Sequence, residues 1–231
     1  MTGTPRERAR AQTMEDILRI GREHLAVHGA AAMSLRAVAR DLGVVSSAVY
    51  RYVKSRDELL TLLVVDGYNE LGDRVDHAVG TADAKDFAEQ FRAIGRAVRK
   101  WAIAEPARYA LLFGSPVPGY SAPAEQTTGP GTRVIVALMS LYQRAADADA
   151  IKLTDISTVP PSLSANFDTI REFYGLTTPD DLIARGVLAW AAMFGAVNFE
   201  VFGQYGPDTF SDPAALYEHN LNVLVETVGL G

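Results

Sequence analysis

Side chains that could hold a metal ion are few in this sequence. His24 and His28 stand four residues apart on a predicted helix, a spacing that can place two imidazoles on one ion. No third ligand lies near them in sequence, and Leu25 between them belongs to the apolar side of the helix. Cysteine is absent, which excludes thiolate ligands, thiol nucleophiles and disulfides. We therefore predict no metal site and no cofactor.

Candidates for acid–base chemistry are scattered along the chain. Asp180 and Asp181 stand at a predicted helix start, where carboxylates complement the helix dipole without any catalytic role. The sequence contains no glycine-rich phosphate loop and no nucleophile elbow. We predict no catalytic residues. An all-helical enzyme remains as an alternative, with His77 and His219 as its possible bases.

The charge of the chain is divided unevenly along its length. The formal net charge is −6. Residues 1–60 hold 10 lysines and arginines against 7 acids, a balance of +3, whereas residues 61–231 hold 12 against 21, a balance of −9. A phosphate backbone attracts the first segment and repels the second. The division indicates a DNA-contacting head on an acidic body, although a chance fluctuation explains so small a positive balance equally well.

Apolar residues recur at intervals of three and four along most of the chain, and no segment alternates as a half-buried strand does. The sequence therefore predicts an all-α fold. The first helix is expected from Met14 to His28, with Thr13 as its N-cap and Gly29 as its stop. A fourth helix is expected to follow a capping box at 55–58 and to end near residue 75.

Two short helices lie between these longer ones. The second helix has a single apolar stripe and ends at Gly43, where a left-handed residue costs little. The third, from Val45 to Tyr52, has a polar outer face. A helix pair joined by a glycine turn is the helix-turn-helix pattern, in which the later helix enters the major groove of DNA.

Later helices are separated by segments rich in helix breakers. The segment 114–131 holds four prolines and is predicted to be a long loop, and 154–164 is predicted to be irregular. Further helices are predicted over 86–104, 107–113, 133–146, 166–174, 180–202 and 213–228. The helix at 180–202 is apolar nearly all round, so it needs partners on several sides: a second subunit, or its own chain in a monomer.

The stretch SLRAVARDLGV at 34–44, continued by AVYRYVKSRDELL at 48–60, closely resembles the DNA-binding domain of the TetR family. The match covers about residues 12–65 and includes the glycine turn, the Tyr-x-Tyr pair with the following lysine, and the opening of the fourth helix. The resemblance implies a sequence-specific transcriptional regulator that binds double-stranded operator DNA as a homodimer. Because members of the family usually act as repressors, the resemblance also implies a repressor.

The same resemblance assigns roles to eight side chains. Ser34 and Arg36 are expected to touch phosphate or a nearby base, and Tyr50, Tyr52 and Lys54 to hold phosphates. The candidates for base edges are Ser46, Ser47 and Arg51. Of these, only an arginine has the planar fork that reads guanine in a bidentate manner.

Three features depart from the family pattern or extend beyond it. Val45 stands where the family usually has a capping serine or threonine, and Val53 replaces a usual aromatic residue. Arg6, Arg8 and Arg10 precede the predicted first helix, where they form either a flexible arm along the DNA or a solvated, disordered terminus.

The C-terminal half resembles a TetR subgroup with a WHG-like domain, through segments around Trp101, Tyr109 and Trp190. The resemblance implies a pocket for an unidentified small-molecule effector and dimerisation through the helices at 180–202 and 213–228. Ordinary core packing is the alternative for each aromatic residue there. From residue type, an apolar cavity is expected to be lined by Phe91, Trp101, Tyr109, Phe113, Met139, Tyr142, Trp190 and Phe194.

These observations predict an N-terminal arm and three-helix DNA-binding domain over 1–60 and a helical ligand-binding and dimerisation domain over 61–231. A small apolar or amphipathic ligand is expected to release the regulator from a palindromic operator. The absence of a secretory signal pattern predicts a cytoplasmic protein with no membrane partner. The alternatives are the enzyme named above and a ligand-sensing module that does not bind DNA.

Overall fold

A computed structural model describes residues 4–152 and 158–231, and throughout these ranges the chain forms α-helices and short 3-10 turns without any strand. The all-α prediction is confirmed. The α-helices are α1 (Pro5–His28), α2 (Leu35–Asp41), α3 (Ser46–Tyr50), α4 (Arg56–Thr81), α5 (Phe87–Ala104), α6 (Pro106–Phe113), α7 (Ala124–Gly131), α8 (Arg133–Asp147), α9 (Ser164–Tyr174), α10 (Asp180–Val201) and α11 (Pro213–Thr227).

The chain divides into two compact units, and each is described here by itself. The N-terminal unit comprises residues 4–70 and 105–131, and the C-terminal unit comprises 71–104 together with the described residues from 132 onward. This division differs from the boundary predicted at residue 60. The first half of α4 belongs to the N-terminal unit, and so do α6 and the segment after it, because Ala107, Leu111, Val117 and Tyr120 pack against its core.

The start of α1 was predicted wrongly. The helix begins at Pro5, not at Met14, and its N-cap is Thr4, not Thr13. Thr4 and Glu7 form a capping box, in which the Glu7 carboxylate accepts a hydrogen bond from the Thr4 amide at 2.7 Å. Proline at the first helical position is also favourable, because its missing N–H has no partner there in any case. Arg6, Arg8 and Arg10 therefore lie in a helix and form neither an extended arm nor a disordered terminus.

The core of the N-terminal unit is built from α1, α2, α3 and the start of α4. Its members are almost completely buried and come from the apolar faces that the three-and-four spacing predicts. They include Ile17, Leu25, Val38, Val49, Val53 and Leu59. Val53 is fully buried, so the residue that replaces the family's usual aromatic serves as core.

The C-terminal unit packs α5 against α8, α10 and α11. The centre of this unit holds large side chains with little or no exposure, among them Phe91, Trp101, Leu138, Tyr142 and Met193. The helices approach closely at Gly186 of α10: a Cβ atom added there would lie 2.6 Å from Cε2 of Tyr142. Glycine at this position lets the aromatic ring pack directly on the α10 backbone.

Other boundaries differ from the predictions in smaller ways. The predicted loop over 114–131 contains α7, which includes Pro130 near its end. Proline is tolerated there because only the last turn of the helix is affected. The helix α4 extends to Thr81 rather than to residue 75. Of the irregular region predicted over 154–164, residues 154–157 lie outside the described residues, and a short 3-10 helix occupies Pro161–Leu163.

Candidate nucleic-acid interface

The predicted helix-turn-helix is present as α2, a glycine turn and α3. Gly43 has a φ of 71°, in the left-handed region that glycine adopts without strain. The turn is closed by hydrogen bonds from the amides of Gly43 and Val44 to the carbonyls of Arg40 and Ala39, both at 3.0 Å. The two helices are held together below the turn by buried side chains, so the turn fixes the direction in which α3 is presented.

The eight predicted DNA-contacting residues lie on or next to these two helices, and none of them is fully buried. Ser34, Ser46 and Tyr52 are half-buried, whereas Arg36, Ser47, Tyr50, Arg51 and Lys54 are exposed. Tyr50 is 44% exposed, a large fraction for an aromatic side chain in a packed unit. The surface formed by these eight residues is called the α2–α3 surface below.

The lysine of this surface is fixed by the start of α4. The Ser55 hydroxyl accepts a hydrogen bond from the Glu58 amide at 3.1 Å, as the capping-box prediction requires. Glu58 reaches one residue further back than predicted: its carboxylate accepts from the amide of Lys54 at 2.6 Å. The backbone at Lys54 is therefore anchored, while its ammonium group makes no ion pair with any described residue.

Exposed guanidinium groups are concentrated in the first 51 residues. Most arginines elsewhere in the chain have a carboxylate partner; Arg171, for example, pairs with Asp180 at 2.7 Å. Five exposed arginines form no ion pair with any residue in the described ranges: Arg6, Arg8, Arg10, Arg36 and Arg51. A guanidinium without a protein carboxylate remains available to phosphate or to a guanine edge.

Other arginines of the N-terminal unit are used to hold it together. Arg108 of α6 is 4% exposed and donates to Asp66 at 2.8 Å and also to Glu70. Asp66 accepts a second arginine, Arg22 of α1, at 2.9 Å. Because α1, α4 and α6 share this charge network, in which Arg108 is buried, α6 is held in the N-terminal unit.

His24 is hydrogen-bonded to the end of α2. Its Nε2 lies 2.6 Å from Oδ2 of Asp41, which joins α1 to the end of α2. Hydrogen bonding to His24 and then to Arg40 lowers the pKa of Asp41 below its usual 3.8. Within the described ranges no three potential ligands form a metal-binding group.

Two features of this region go beyond the sequence predictions, namely the position of Arg10 and the exposure of Val45. The guanidinium carbon of Arg10 lies 5.3 Å from the centroid of the Tyr52 ring, which brings the start of α1 to the α2–α3 surface. Val45 is 72% exposed and is the N-cap of α3, with no side-chain capping bond. The four-residue spacing of Arg6, Arg10 and Met14 was a signal for the first feature, but the predicted helix started too late to use it.

The residues expected to line an apolar cavity do not lie in a single unit. Tyr109 and Phe113 belong to the N-terminal unit, and their rings are 5.0 Å apart. In the C-terminal unit, the Phe91 and Tyr142 rings stack at 6.4 Å. Trp190 is 38% exposed, so it is a surface residue of this chain. The other three, all buried in the C-terminal unit, are Trp101, Met139 and Phe194.

Burial changes the pKa of two tyrosines in this set. Desolvation raises the pKa of Tyr109 and of Tyr142 well above the ordinary value of 10. The Tyr142 hydroxyl is fully buried and has no hydrogen-bond partner among the described residues. A buried hydroxyl without a partner is costly, and an incoming polar group would relieve that cost.

A glycine-turned helix pair with exposed, unpaired cations defines a DNA-binding protein of the helix-turn-helix class. Comparison with protein families gives the same class. The model for bacterial regulatory proteins of the tetR family matches residues 17–63. The model for the tetracyclin repressor-like C-terminal domain matches residues 91–224, more than half of the chain.

Relatives and solved structures agree with the family models. The HTH-type transcriptional regulator Rv1816 of Mycobacterium tuberculosis (strain ATCC 25618 / H37Rv) is 47% identical over 220 residues, which cover 95% of this chain and 94% of that protein. The HTH-type transcriptional regulator Mb1846 of Mycobacterium bovis gives the same values. A crystal structure of the regulatory protein SCO4313 is 32% identical, has a TM-score of 0.79 and covers 96% of this chain and 100% of that one.

The chain belongs to the TetR family of transcriptional regulators, with a DNA-binding helix-turn-helix and a ligand-binding C-terminal domain. Members of this family bind DNA operators and small-molecule effectors and are typically dimers. They are regulators rather than enzymes, so the family does not favour the alternative of an all-helical enzyme.

Proposed function

We propose that this regulator is a cytoplasmic repressor that binds a palindromic operator as a homodimer and leaves it when a small apolar or amphipathic ligand binds. The observation that carries the DNA-binding part is the set of exposed arginines without carboxylate partners in the described chain, which includes Arg36 and Arg51 of the α2–α3 surface. Cationic side chains that neutralise phosphates release the counterions condensed on the DNA, and this release drives association.

Within this proposal the side chains of the α2–α3 surface fall into two groups, those that contact phosphates and those that reach base edges. Ser34, Tyr50, Tyr52 and Lys54 hold phosphates and so fix the register of α3 on the duplex. Arg36 touches phosphate or a nearby base. Arg51, at the end of α3, reads a guanine, and the short hydroxyls of Ser46 and Ser47 contact base edges near the start of α3.

The proposed dimer uses one face of α10 together with α11. Leu188 and Phe199, eleven residues apart and therefore on one face of α10, are 57% and 47% exposed, and Val223 of α11 is 49% exposed. Gly195 lies on the same helix, and an added Cβ there would meet nothing within 4 Å in its own chain. Apolar residues around a small one are typical of a site where two helices cross closely, so we assign this face to a second copy of the chain.

The composition of α10 also fits this assignment. It is the one helix among the described residues that is long and apolar enough to cross a membrane, and 44% of its most apolar window is buried within the chain. A helix that is partly buried and apolar on its remaining sides is typical of a subunit interface as well. Pairing with a second copy accounts for the exposed apolar side without a membrane.

The effector site is proposed to lie in the C-terminal unit, at the core formed by Phe91, Tyr142 and Met139. Support comes from the unpartnered Tyr142 hydroxyl in an otherwise apolar setting, a combination that fits an amphipathic ligand with a polar group. A ligand that binds one subunit arrangement better than the other would change the separation of the two recognition helices. Operator half-sites require a separation of about 34–36 Å.

The DNA-binding proposal is tested by selecting bound sequences from random duplexes and measuring affinity at several salt concentrations. We expect the selected sequences to be palindromic and the affinity to fall steeply as the salt concentration rises. The double variant Tyr50→Ala plus Lys54→Ala should lose this salt-sensitive binding. A matched control is Phe173→Ala plus Lys152→Ala, which removes an exposed aromatic residue and an exposed lysine from the C-terminal unit. Equal losses in the two double variants would contradict the proposal.

Effector action is tested on the selected operator. Candidate apolar and amphipathic compounds are screened by thermal shift, and a stabilising compound is then titrated into the protein–DNA complex. Because the coupling between two sites is reciprocal, the operator must lower the affinity for the compound by the same factor. Unchanged operator affinity at saturating compound would reject the release mechanism.

A further inference from the structure

The first turns of α1 extend beyond the core of the N-terminal unit. All residues from Pro5 to Gln12 are exposed, and Met14 is the first residue of α1 that packs against the core. The helix is built there by local signals, namely the Thr4–Glu7 capping box and Pro5 at the first helical position. Two exposed turns of helix thus form without contributing to the core.

Arginines in this extension lie on two different sides. Residues four apart share one face of a helix, so Arg6 and Arg10 continue the face that Met14 turns toward the core. Arg10 itself contacts the α2–α3 surface, because its guanidinium carbon is 5.3 Å from the Tyr52 ring centroid. Arg8 points about 160° away from both arginines, at 100° per residue.

No carboxylate in the described chain neutralises these arginines. Arg6, Arg8 and Arg10 form no ion pair with any described residue. The carboxylate of the nearest acid in sequence, Glu7, accepts from the Thr4 amide, and the Glu7 amide donates to the Thr4 hydroxyl. Those hydrogen bonds lower the pKa of Glu7, so its carboxylate stays ionised and committed to the cap. Arg10 therefore leaves positive charge beside Tyr52 of the α2–α3 surface, and Arg6 adds another charge one turn earlier on the same face of α1.

We propose that Arg6 and Arg10 bind phosphates of the operator, next to the phosphate held by Tyr52, so that α1 is a second DNA-contacting element. This inference rests on the proposed DNA-binding function and adds a contact to it. Arg8, on the opposite side of the helix, takes no part.

The test compares full-length wild-type protein, Arg6→Ala plus Arg10→Ala, and Arg8→Ala on the selected operator. Fluorescence anisotropy at several salt concentrations gives the slope of log affinity against log salt. Each lost phosphate contact reduces that slope by about 0.9. We expect the Arg6/Arg10 double variant to lose about two contacts per subunit and Arg8→Ala to retain the wild-type slope. Circular dichroism checks that α1 stays helical.

The outcomes separate the inference from the function on which it rests. If wild-type protein shows no salt-sensitive binding to any selected duplex, the DNA-binding function and the inference both fail. If wild type binds but the double variant keeps the wild-type slope, only the inference is overturned. The inference is also overturned if Arg8→Ala reduces the salt slope by as much per removed charge as the Arg6/Arg10 double variant does. Such a result would mean that only the net charge matters.

A second, independent observation concerns the exposed valines between Gly43 and α3. Val44 is 44% exposed and Val45 is 72% exposed. Serine or threonine at the N-cap would satisfy an amide of the helix, and Val45 cannot do so. An apolar side chain is thus held in water immediately before Ser46 and Ser47, the residues assigned to base edges.

We infer that Val45 reads the C5-methyl group of a thymine in the major groove. The methyl is the one apolar feature on the major-groove edge of a base pair, and it distinguishes thymine from uracil. This inference also rests on the proposed DNA-binding function, and it supplies sequence readout where the neighbouring serines have little reach.

The test replaces each thymine of the selected operator by deoxyuridine, one symmetric pair at a time. Burial of one methyl group predicts about a fourfold loss per half-site for the wild-type protein at one position, at about 0.8 kcal/mol per carbon. Val45→Ala should bind the thymine and uracil duplexes equally. The matched control is Val27→Ala, since Val27 is 75% exposed on α1 of the same unit and should leave the thymine preference intact.

Equal affinity of the wild-type protein for all thymine and uracil duplexes would overturn the Val45 assignment while leaving DNA binding itself established. A thymine preference that survives Val45→Ala would overturn it as well. Wild-type protein that binds no duplex would remove this assignment together with the proposed function.

Discussion

Arg99 and Arg51 are both side chains on the surface of a helical unit, yet their surroundings differ. In the C-terminal unit Arg99 donates to Glu200 at 2.6 and 2.7 Å, and Arg185 pairs with Asp181 at 3.0 Å. In the N-terminal unit Arg51, like Arg36, is exposed and pairs with no described residue. Arg99 and Arg185 are neutralised by carboxylates, whereas Arg36 and Arg51 are left without one in the described chain.

The contrast between paired and unpaired arginines explains how a chain with a net charge of −6 binds DNA. A polyanion responds to the local field of the surface that it meets more than to the total charge of the protein. Arginines paired with carboxylates contribute little to that field, whereas the unpaired set does. The chain therefore needs few cations, provided that they are left without protein partners on one surface.

The largest effect is expected when one arginine is removed from each unit, an unpaired one from the N-terminal unit and a paired one from the C-terminal unit. Arg51→Ala is expected to cost about 1–3 kcal/mol of operator binding per half-site and to relax the preference for guanine at one position. Its melting temperature should stay near wild type, because Arg51 has no partner to lose. Arg99→Ala should instead keep the wild-type operator affinity, measured by anisotropy, and lower the melting temperature. An Arg51→Ala protein with wild-type affinity would refute the assigned role.

A second prediction concerns the packing of the C-terminal unit. Gly186→Ala places a Cβ atom 2.6 Å from the Tyr142 ring and 3.3 Å from Cε of Met139, so the core must shift. Overpacking of this kind costs about 1–3 kcal/mol, which urea unfolding measures. Gly80→Ala is the control in the same unit, since a Cβ atom added to Gly80 of α4 meets nothing within 4 Å. Equal stability of the two variants would contradict the close packing of Tyr142 on α10.

A third and smaller effect is expected for the paired arginine. The side chains of Arg99 and Glu200 are 20% and 17% exposed, and the hydrogen bond to Glu200 raises the pKa of Arg99. A double-mutant cycle with Arg99→Ala and Glu200→Ala should give a coupling of about 1 kcal/mol in urea unfolding, reduced for partial solvent screening. A coupling of zero would mean that this pair contributes nothing to the C-terminal unit.

The smallest expected effect is a pH dependence in the N-terminal unit. The pKa of Asp41 is lowered in the folded protein by hydrogen bonding to His24, so its carboxylate stabilises the fold above the unfolded pKa of about 3.8. That stability is lost as the pH falls below this value through the folded pKa. Asp41→Asn should unfold with a weaker pH dependence in this acid range. Identical acid transitions in both proteins would exclude the contribution.

Sequence reasoning predicted the helix-turn-helix well and the start of α1 poorly, for physical reasons. The apolar stripe of α2 and the glycine after it are local signals, and they act in the folded chain as they do in the sequence. Thr4, Pro5 and Glu7 are equally local signals for a helix start. The predicted start instead followed the first apolar residue of the stripe, and the extension before it has no apolar stripe because it buries nothing.

The cavity prediction treated aromatic residues as one set because they share a type. The structure separates Tyr109 and Phe113 from Phe91 and Tyr142 by placing them in different units. Sequence distance gives no information on this division, since Trp101 and Tyr109 are only eight residues apart and still belong to different units.

By itself the sequence determined the all-helical class, the helix pair with its glycine turn and the uneven distribution of charge, because each depends on the type and spacing of near neighbours. Folding over long sequence distances placed the carboxylate partners of Arg99 and Arg108, and it also placed α6 in the N-terminal unit. Arg99 meets a carboxylate 101 residues away, and Arg108 meets one 42 residues away. Ion pairs form between groups that folding brings within a few ångströms, and no local pattern records those distances.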